Sequence, residues 1–138
     1  MSEHEKDVLF EESHYSKIVS LPIKSPLLIT EAPHTMVSVP SHEDLLGDKL
    51  TAFAPETTGI PYYKGENLST LEIIKQLYDI GRLFDRVTNL DITRNAFTKI
   101  APIELAYRGL DTNDIKSIIE DIRNTSLNIT SRGMVDKG

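Results

Sequence analysis

Ser41-His42-Glu43-Asp44-Leu45-Leu46-Gly47-Asp48-Lys49-Leu50-Thr51-Ala52-Phe53 is the turning point of this 138-residue chain. Up to Pro40 the sequence is built of short β-rich runs; from Ser41 onward it is built of helical ones. The stretch follows a proline, opens with a serine and carries an acid three residues later at Asp44, the layout of a helix N-terminal capping box. At about 100° per residue, Leu45, Leu46, Leu50 and Phe53 fall in one arc roughly 140° wide, and Lys49 lies inside it. An ammonium on a core-facing stripe is costly unless it is paired or reaches past the core to an anion. Lys49 is therefore the first candidate site residue.

Upstream of this helix, residues 7–11, 17–21 and 35–39 read as strands, the second and third alternating polar and apolar residues as half-buried strands do. Pro22, Pro26, Pro33 and Pro40 place their neighbours at strand ends or edges. Downstream, Ser69 with Glu72 and Asp111 with Asp114 repeat the capping pattern of Ser41 with Asp44. Helices are predicted over 42–53, 70–84, 91–107 and 112–124, with Pro102 kinking or splitting the third. Residues 54–67, rich in Pro, Gly and Thr, form a loop that is either functional or mobile. From Thr125 the tail is polar, with no capping signal and no final apolar stripe. The expected fold is α+β: a small antiparallel sheet of two to three strands, then a helical part of about four helices. One domain over 1–138 is expected, β-rich over 1–40 and helical over 41–138, and both ends look cut from something longer.

Composition sets the class. With 39% hydrophobic and 26% charged residues the chain is an ordinary globular one and not a disordered one. No apolar run approaches the roughly 20 residues needed to span a bilayer, and the N-terminus lacks the basic and apolar regions of a signal peptide. Zero cysteines excludes disulfides and thiolate-ligated metals. A net charge of −6 disfavours a general nucleic-acid-binding surface. A cytoplasmic location is expected, so the sequons at Asn67, Asn124 and Asn128 carry no meaning.

The second helix holds the next polar candidates. Leu71, Ile74, Leu77, Tyr78, Gly81 and Phe84 form its apolar face, while Lys75, Asp79 and Arg82 cluster on another side at spacings that suit a solvated ion-pair ladder. His4, His14, His34 and His42 show no zinc-site spacing. Tyr62 and Tyr63, beside Lys64, could stack on a base or tuck onto their own domain. Arg108 and Arg123 carry no pattern that separates them from solvated helix charges.

The stretch HEDLLGDKLTAFAPETTGIPY, followed by EIIKQLYDIGRLFD, resembles the nucleotidyltransferase family of AbiEii/AbiGii toxins from bacterial abortive-infection and toxin–antitoxin systems. The match runs from Asp7 to beyond Arg108. The shared elements are a Lys-Leu-x-Ala helix, a loop, and a second helix with a Lys/Arg-Asp-x-x-Asp-like pattern. The resemblance implies that Lys49 binds nucleotide phosphates and that Asp79, matching the second aspartate of the later motif, takes part in catalysis. It further implies that Asp7 is a catalytic, metal-binding carboxylate on a strand. Gln76 stands where the family has the first aspartate. The family's Gly-Ser motif and Asp-x-Asp pair should precede Asp7; Glu3, Glu5 and Asp7 alternate, but no Gly-Ser loop comes before them. The resemblance thus implies the C-terminal part of a nucleotidyltransferase using Mg²⁺ and an NTP, with tRNA or a protein as acceptor. The isolated chain is expected to bind neither Mg²⁺ nor an NTP tightly and to be inactive. The alternative is a non-catalytic interaction module binding a partner such as an antitoxin, with Lys49 merely snorkelling past the core. Convergence of Lys49, Asp79 and Asp7 on one concavity would favour the enzyme.

Overall fold

The computed structural model describes residues 15–16, 18–22, 36–65 and 67–135. Its elements run β1 (Ile18–Pro22), β2 (Met36–Pro40), α1 (His42–Ala52), β3 (Tyr63–Lys64), β4 (Asn67–Leu68), α2 (Thr70–Phe84), α3 (Leu90–Tyr107) and α4 (Ile115–Val135). This is the expected α+β order, a small antiparallel sheet followed by helices. The expected strand over 7–11 lies outside the described residues. β1 pairs with β2, Ile18 opposite Pro40 and Pro22 opposite Met36, so prolines sit at strand ends where a missing N–H does least harm. Alternation did not bring burial, however: Ile18, Leu21, Met36 and Val37 are all exposed. The sheet packs onto the helices through β2 and α1.

α1 begins where its cap predicts. The Ser41 Oγ accepts from the Asp44 backbone N–H at 3.2 Å and donates to the Asp44 carboxylate at 2.6 Å. That carboxylate is fully buried and also accepts from the backbone N–H and hydroxyl of Ser16, each at 3.0 Å, which ties the segment before β1 to the first turn of α1. The leucine arc needs correction. α1 is packed against both α2 and α3, so Glu43, Asp44, Leu46, Gly47 and Thr51 are buried while Leu45, Lys49 and Leu50 are half-buried. Gly47 sets the α1–α3 approach: a Cβ there would lie 2.8 Å from the Ala96 Cβ and 2.9 Å from the Phe97 nitrogen and Thr93 oxygen.

α3 is capped by Asn89, which accepts from the Asp91 N–H at 3.0 Å, and runs through Pro102 as one element. A mid-helix proline costs about 3 kcal/mol, whereas each fully buried aliphatic or aromatic side chain contributes about 1.5–3 kcal/mol. Phe97 and Ile100 before the proline and Leu105 after it are all buried, so packing outweighs the break. α4 also departs from expectation, at both ends. It starts at Ile115 because Asp114, not Asp111, accepts from the Ser117 N–H, while Asp111 accepts from Asn113 in the turn before. It then continues through the polar tail to Val135. Thr125 there is buried with its hydroxyl donating to Asp121, and Ser126 and Thr130 donate to carbonyls one turn back, so the polar side chains are satisfied within the helix.

The core gathers Ala54, Phe97, Ala101, Leu105 and Ile118, with Leu50, Ile115 and Ile122 packed around them. α2 lies outside that cluster and packs on α1, with Ile73 as its buried residue. Its expected apolar face points the other way: Leu71, Ile74, Tyr78, Gly81 and Phe84 are exposed.

Candidate functional site

The packing of α2 on α1 answers the question that Lys49 poses. Its stem is half-buried between the two helices, and its ammonium donates to the Gln76 Oε1 at 3.2 Å and to the Asp79 Oδ2 at 3.4 Å. Gln76 and Asp79 are three apart, so one face of α2 presents both acceptors to the same cation. Side chains of Lys49 and Asp79 stay 34% and 32% exposed. Both contacts are longer than the 2.7–2.9 Å of a tight charge-assisted bond. The ammonium is therefore held but not used up, and a competing anion from solvent can reach it.

Gln76 matters because of what it is not. An amide oxygen accepts from Lys49 without adding negative charge, so only the Asp79 carboxylate balances the ammonium. A second carboxylate at that position would neutralise the lysine further and weaken its attraction for phosphate. The expected ladder of Lys75, Asp79 and Arg82 does not form: Asp79 pairs with Lys49, while Arg82 donates to the Tyr78 hydroxyl at 3.2 Å and lies over its ring. Asp7, the third residue assigned by resemblance, lies outside the described residues. Among the described residues no group of three His, Asp or Glu side chains is placed to hold a metal ion.

The loop over 54–65 is tied down at many points. The Gly59 N–H donates to Ala54 O at 2.7 Å, the Thr58 hydroxyl to Thr51 O at 2.8 Å, and Arg108 to the Gly59 carbonyl. Asp121, a buried acid on α4 that sequence pattern did not single out, accepts from the Glu56 N–H at 2.9 Å, the Thr57 hydroxyl at 2.8 Å and Thr125. β3 and β4 close the segment as a short hairpin in which Gly65 has φ +64°, a conformation that favours glycine. Tyr62 folds onto α4, its hydroxyl 3.4 Å from that of Thr125, and Tyr63 is exposed. Lys64 pairs with Glu72 at 2.7 Å.

Three cavities flank this loop. One of about 660 Å³ lies between the loop, the start of α2 and α4, lined by Tyr62, Tyr63, Leu68, Ile73, Ile74 and Ile129 among others. A second shares Tyr62 and Glu56 with it and is edged by Glu120 and Asp121. The third is small and holds Lys64 and Arg108. None of them is lined by Lys49, Gln76 or Asp79. The structure thus brings Lys49 and Asp79 together outside these three cavities, while Tyr62 and Tyr63 line the first of them.

Glu43 and Tyr15 complete the electrostatic picture. Hydrogen bonds from the Thr88 backbone N–H, then from its own backbone, the Thr88 hydroxyl and Asn89, hold the Glu43 carboxyl down to about 2 from the usual 4.5, against the opposing effect of burial. Burial, followed by the charge and hydrogen bond of Asp48, pushes the Tyr15 hydroxyl above its ordinary value. Both groups do structural work, pinning the α2–α3 turn and the segment before β1 onto α1. No helix among the described residues is long and apolar enough to cross a membrane. Comparison with protein-family models, with curated proteins and with solved structures returned no match, so the site stands on its own geometry.

Proposed function

We propose that this chain belongs to a nucleotidyltransferase-like protein of the abortive-infection or toxin–antitoxin kind, with Lys49 binding the phosphates of an NTP. One observation carries the reading: the Lys49 ammonium reaches past the core to a half-exposed seat between Gln76 and Asp79. Such a lysine can leave a weak acceptor pair for a triphosphate, supplying a mobile positive charge while Asp79 keeps the side chain aimed. Mg²⁺ would supply neutralisation of the triphosphate and of the leaving pyrophosphate. Asp7 is the residue to which the resemblance assigns it. The acceptor, tRNA or a protein, would lie beyond the phosphates.

The test is titration of the whole chain with a fluorescent NTP analogue in Mg²⁺ buffer. Weak binding is expected, because only Asp7 of the metal-binding set is present, with Lys49→Ala weakening it further by at least about tenfold, the loss of one charged phosphate contact. Nucleotide binding that Lys49→Ala leaves unchanged, or its absence from the unaltered chain, would remove the proposal.

A second reading, an interaction module that binds a protein partner, is favoured by a different observation. Large apolar side chains stand exposed together on α2 and across β1–β2.

A further inference from the structure

The outer face of α2 has a specific pattern. Leu71, Ile74, Tyr78 and Gly81 follow the three-four-three spacing of a coiled-coil seam, and all are exposed: Leu71 by 83%, Tyr78 by 62% and Ile74 by 45%. Around Gly81 the space is open, leaving a notch in the seam that a partner side chain can enter. The seam spans much of a helix about 22 Å long. On one side it runs through Ile74 and Leu68 into the cavity of about 660 Å³, whose mainly apolar lining offers a seat for an anchoring side chain.

Charge decides which partner fits. Lys75 and Arg82 follow the seam residues Ile74 and Gly81, seven apart, and form one exposed edge of the seam. Both acids within α2 are already matched, Glu72 by Lys64 and Asp79 by Lys49, whereas Lys75 makes no ion pair among the described residues. Arg82 spends its contacts on the Tyr78 hydroxyl and ring, which leaves guanidinium donors facing outward. A second copy fits poorly. Packed antiparallel, the Lys75/Arg82 edges would face each other; packed parallel, they would face Thr70 and Leu77, which offer no opposite charge. We propose that the outer face of α2 docks an amphipathic helix of another polypeptide whose apolar seam is edged by acidic residues seven apart. The proposal rests on the interaction reading and is independent of phosphate binding at Lys49.

The test uses the whole chain and two synthetic three-heptad peptides with leucine seams, one edged by glutamate and the other by lysine, followed by fluorescence anisotropy. The glutamate-edged peptide is expected to bind at least about tenfold tighter at low salt, an advantage that shrinks as salt is raised. Ile74→Asp should abolish binding, and the double reversal of Lys75→Glu with Arg82→Glu should invert the preference towards the lysine-edged peptide. An inverted preference is an outcome that a misfolded variant cannot produce. Equal binding of the two peptides, no binding of either, or a preference blind to the reversal overturns the proposal. So does concentration-dependent dimerisation in sedimentation velocity that Ile74→Asp breaks, because a second copy would then be the occupant. Lys49→Ala should leave the peptide preference intact while weakening nucleotide binding, so each reading can fail without the other.

Discussion

Glu43 shows what a single buried carboxylate does for this fold. It lies in the first turn of α1, where an acid suits the helix dipole, yet its main work is at a distance: its Oε1 accepts from both the N–H and the hydroxyl of Thr88 at 3.0 Å. With the folded carboxyl held near 2 and an ordinary value near 4.5, the folded state favours the ionised form. The stabilisation is therefore fully present above about pH 4.5 and is lost as pH falls towards 2. Glu43→Gln keeps an oxygen acceptor but removes the charge. The variant should be less stable at neutral pH, by about 1–3 kcal/mol for a charged hydrogen bond made neutral, and its urea midpoint should fall less between pH 5 and 3. Identical pH dependence in the two proteins would show that Glu43 is not responsible. Lys49 was legible as an anomaly because one residue broke an apolar arc. Its partners were only half legible, since nothing in the spacing of Gln76 and Asp79 says which way α2 faces. The burial of Glu43 and Asp44 was hidden for the opposite reason: acids in a first helical turn ordinarily mean solvent.

Helix pairing depends on one position that the sequence pattern passed over. Gly47 sits inside α1, where alanine would be favoured by about 1 kcal/mol of helix propensity. Against this, an added Cβ meets two backbone atoms of α3 and the Ala96 methyl at 2.8–2.9 Å, and backbone in a packed helix pair cannot move aside cheaply. Overpacking of this kind costs about 1–3 kcal/mol and should prevail over propensity. Gly47→Ala is thus expected to lower stability by up to about 2 kcal/mol in urea denaturation, the overpacking cost less the propensity gain, and an increase in stability would show that α1 and α3 approach less closely than they do here. A lone glycine in a helical run is the signal that could have located this contact. The sequence pattern hides α4 past residue 124 because Thr125 holds an inward position in the series Ile118, Ile122, Thr125 and Ile129, and its hydroxyl masks the stripe. α2 spans the residues its pattern predicts, yet Leu71, Ile74, Tyr78 and Phe84 of its apolar face stand exposed, which hydrophobic periodicity alone cannot anticipate.

At the scale of the molecule, stability and surface are unevenly divided. The fully buried residues Ala54, Ala101, Leu105 and Ile118 all belong to the α1–α3–α4 side, whereas β1 and β2 leave most of their side chains exposed. Two strands on their own are marginal in water. What keeps these in place is β2 leading directly into the cap of α1 and the buried Asp44 carboxylate holding Ser16 ahead of β1. The order of elements was readable from punctuation by proline, serine and capping acids, but this division was not, because alternation in a strand says that one face is apolar without saying that anything covers it. The sheet should therefore open on its own. In native-state hydrogen exchange, amides of β1 and β2 are expected to exchange through openings at least about 2 kcal/mol cheaper than those of Leu105 and Ile118, which should exchange only with global unfolding. Asp44→Asn should speed exchange in β1 while leaving the α3 and α4 amides ordered, since it weakens the tether to Ser16 and not the core. Equal protection of sheet and helices would mean that the strands share the cooperative unit of α3 and α4, and that their exposed apolar residues are buried by contacts other than those described.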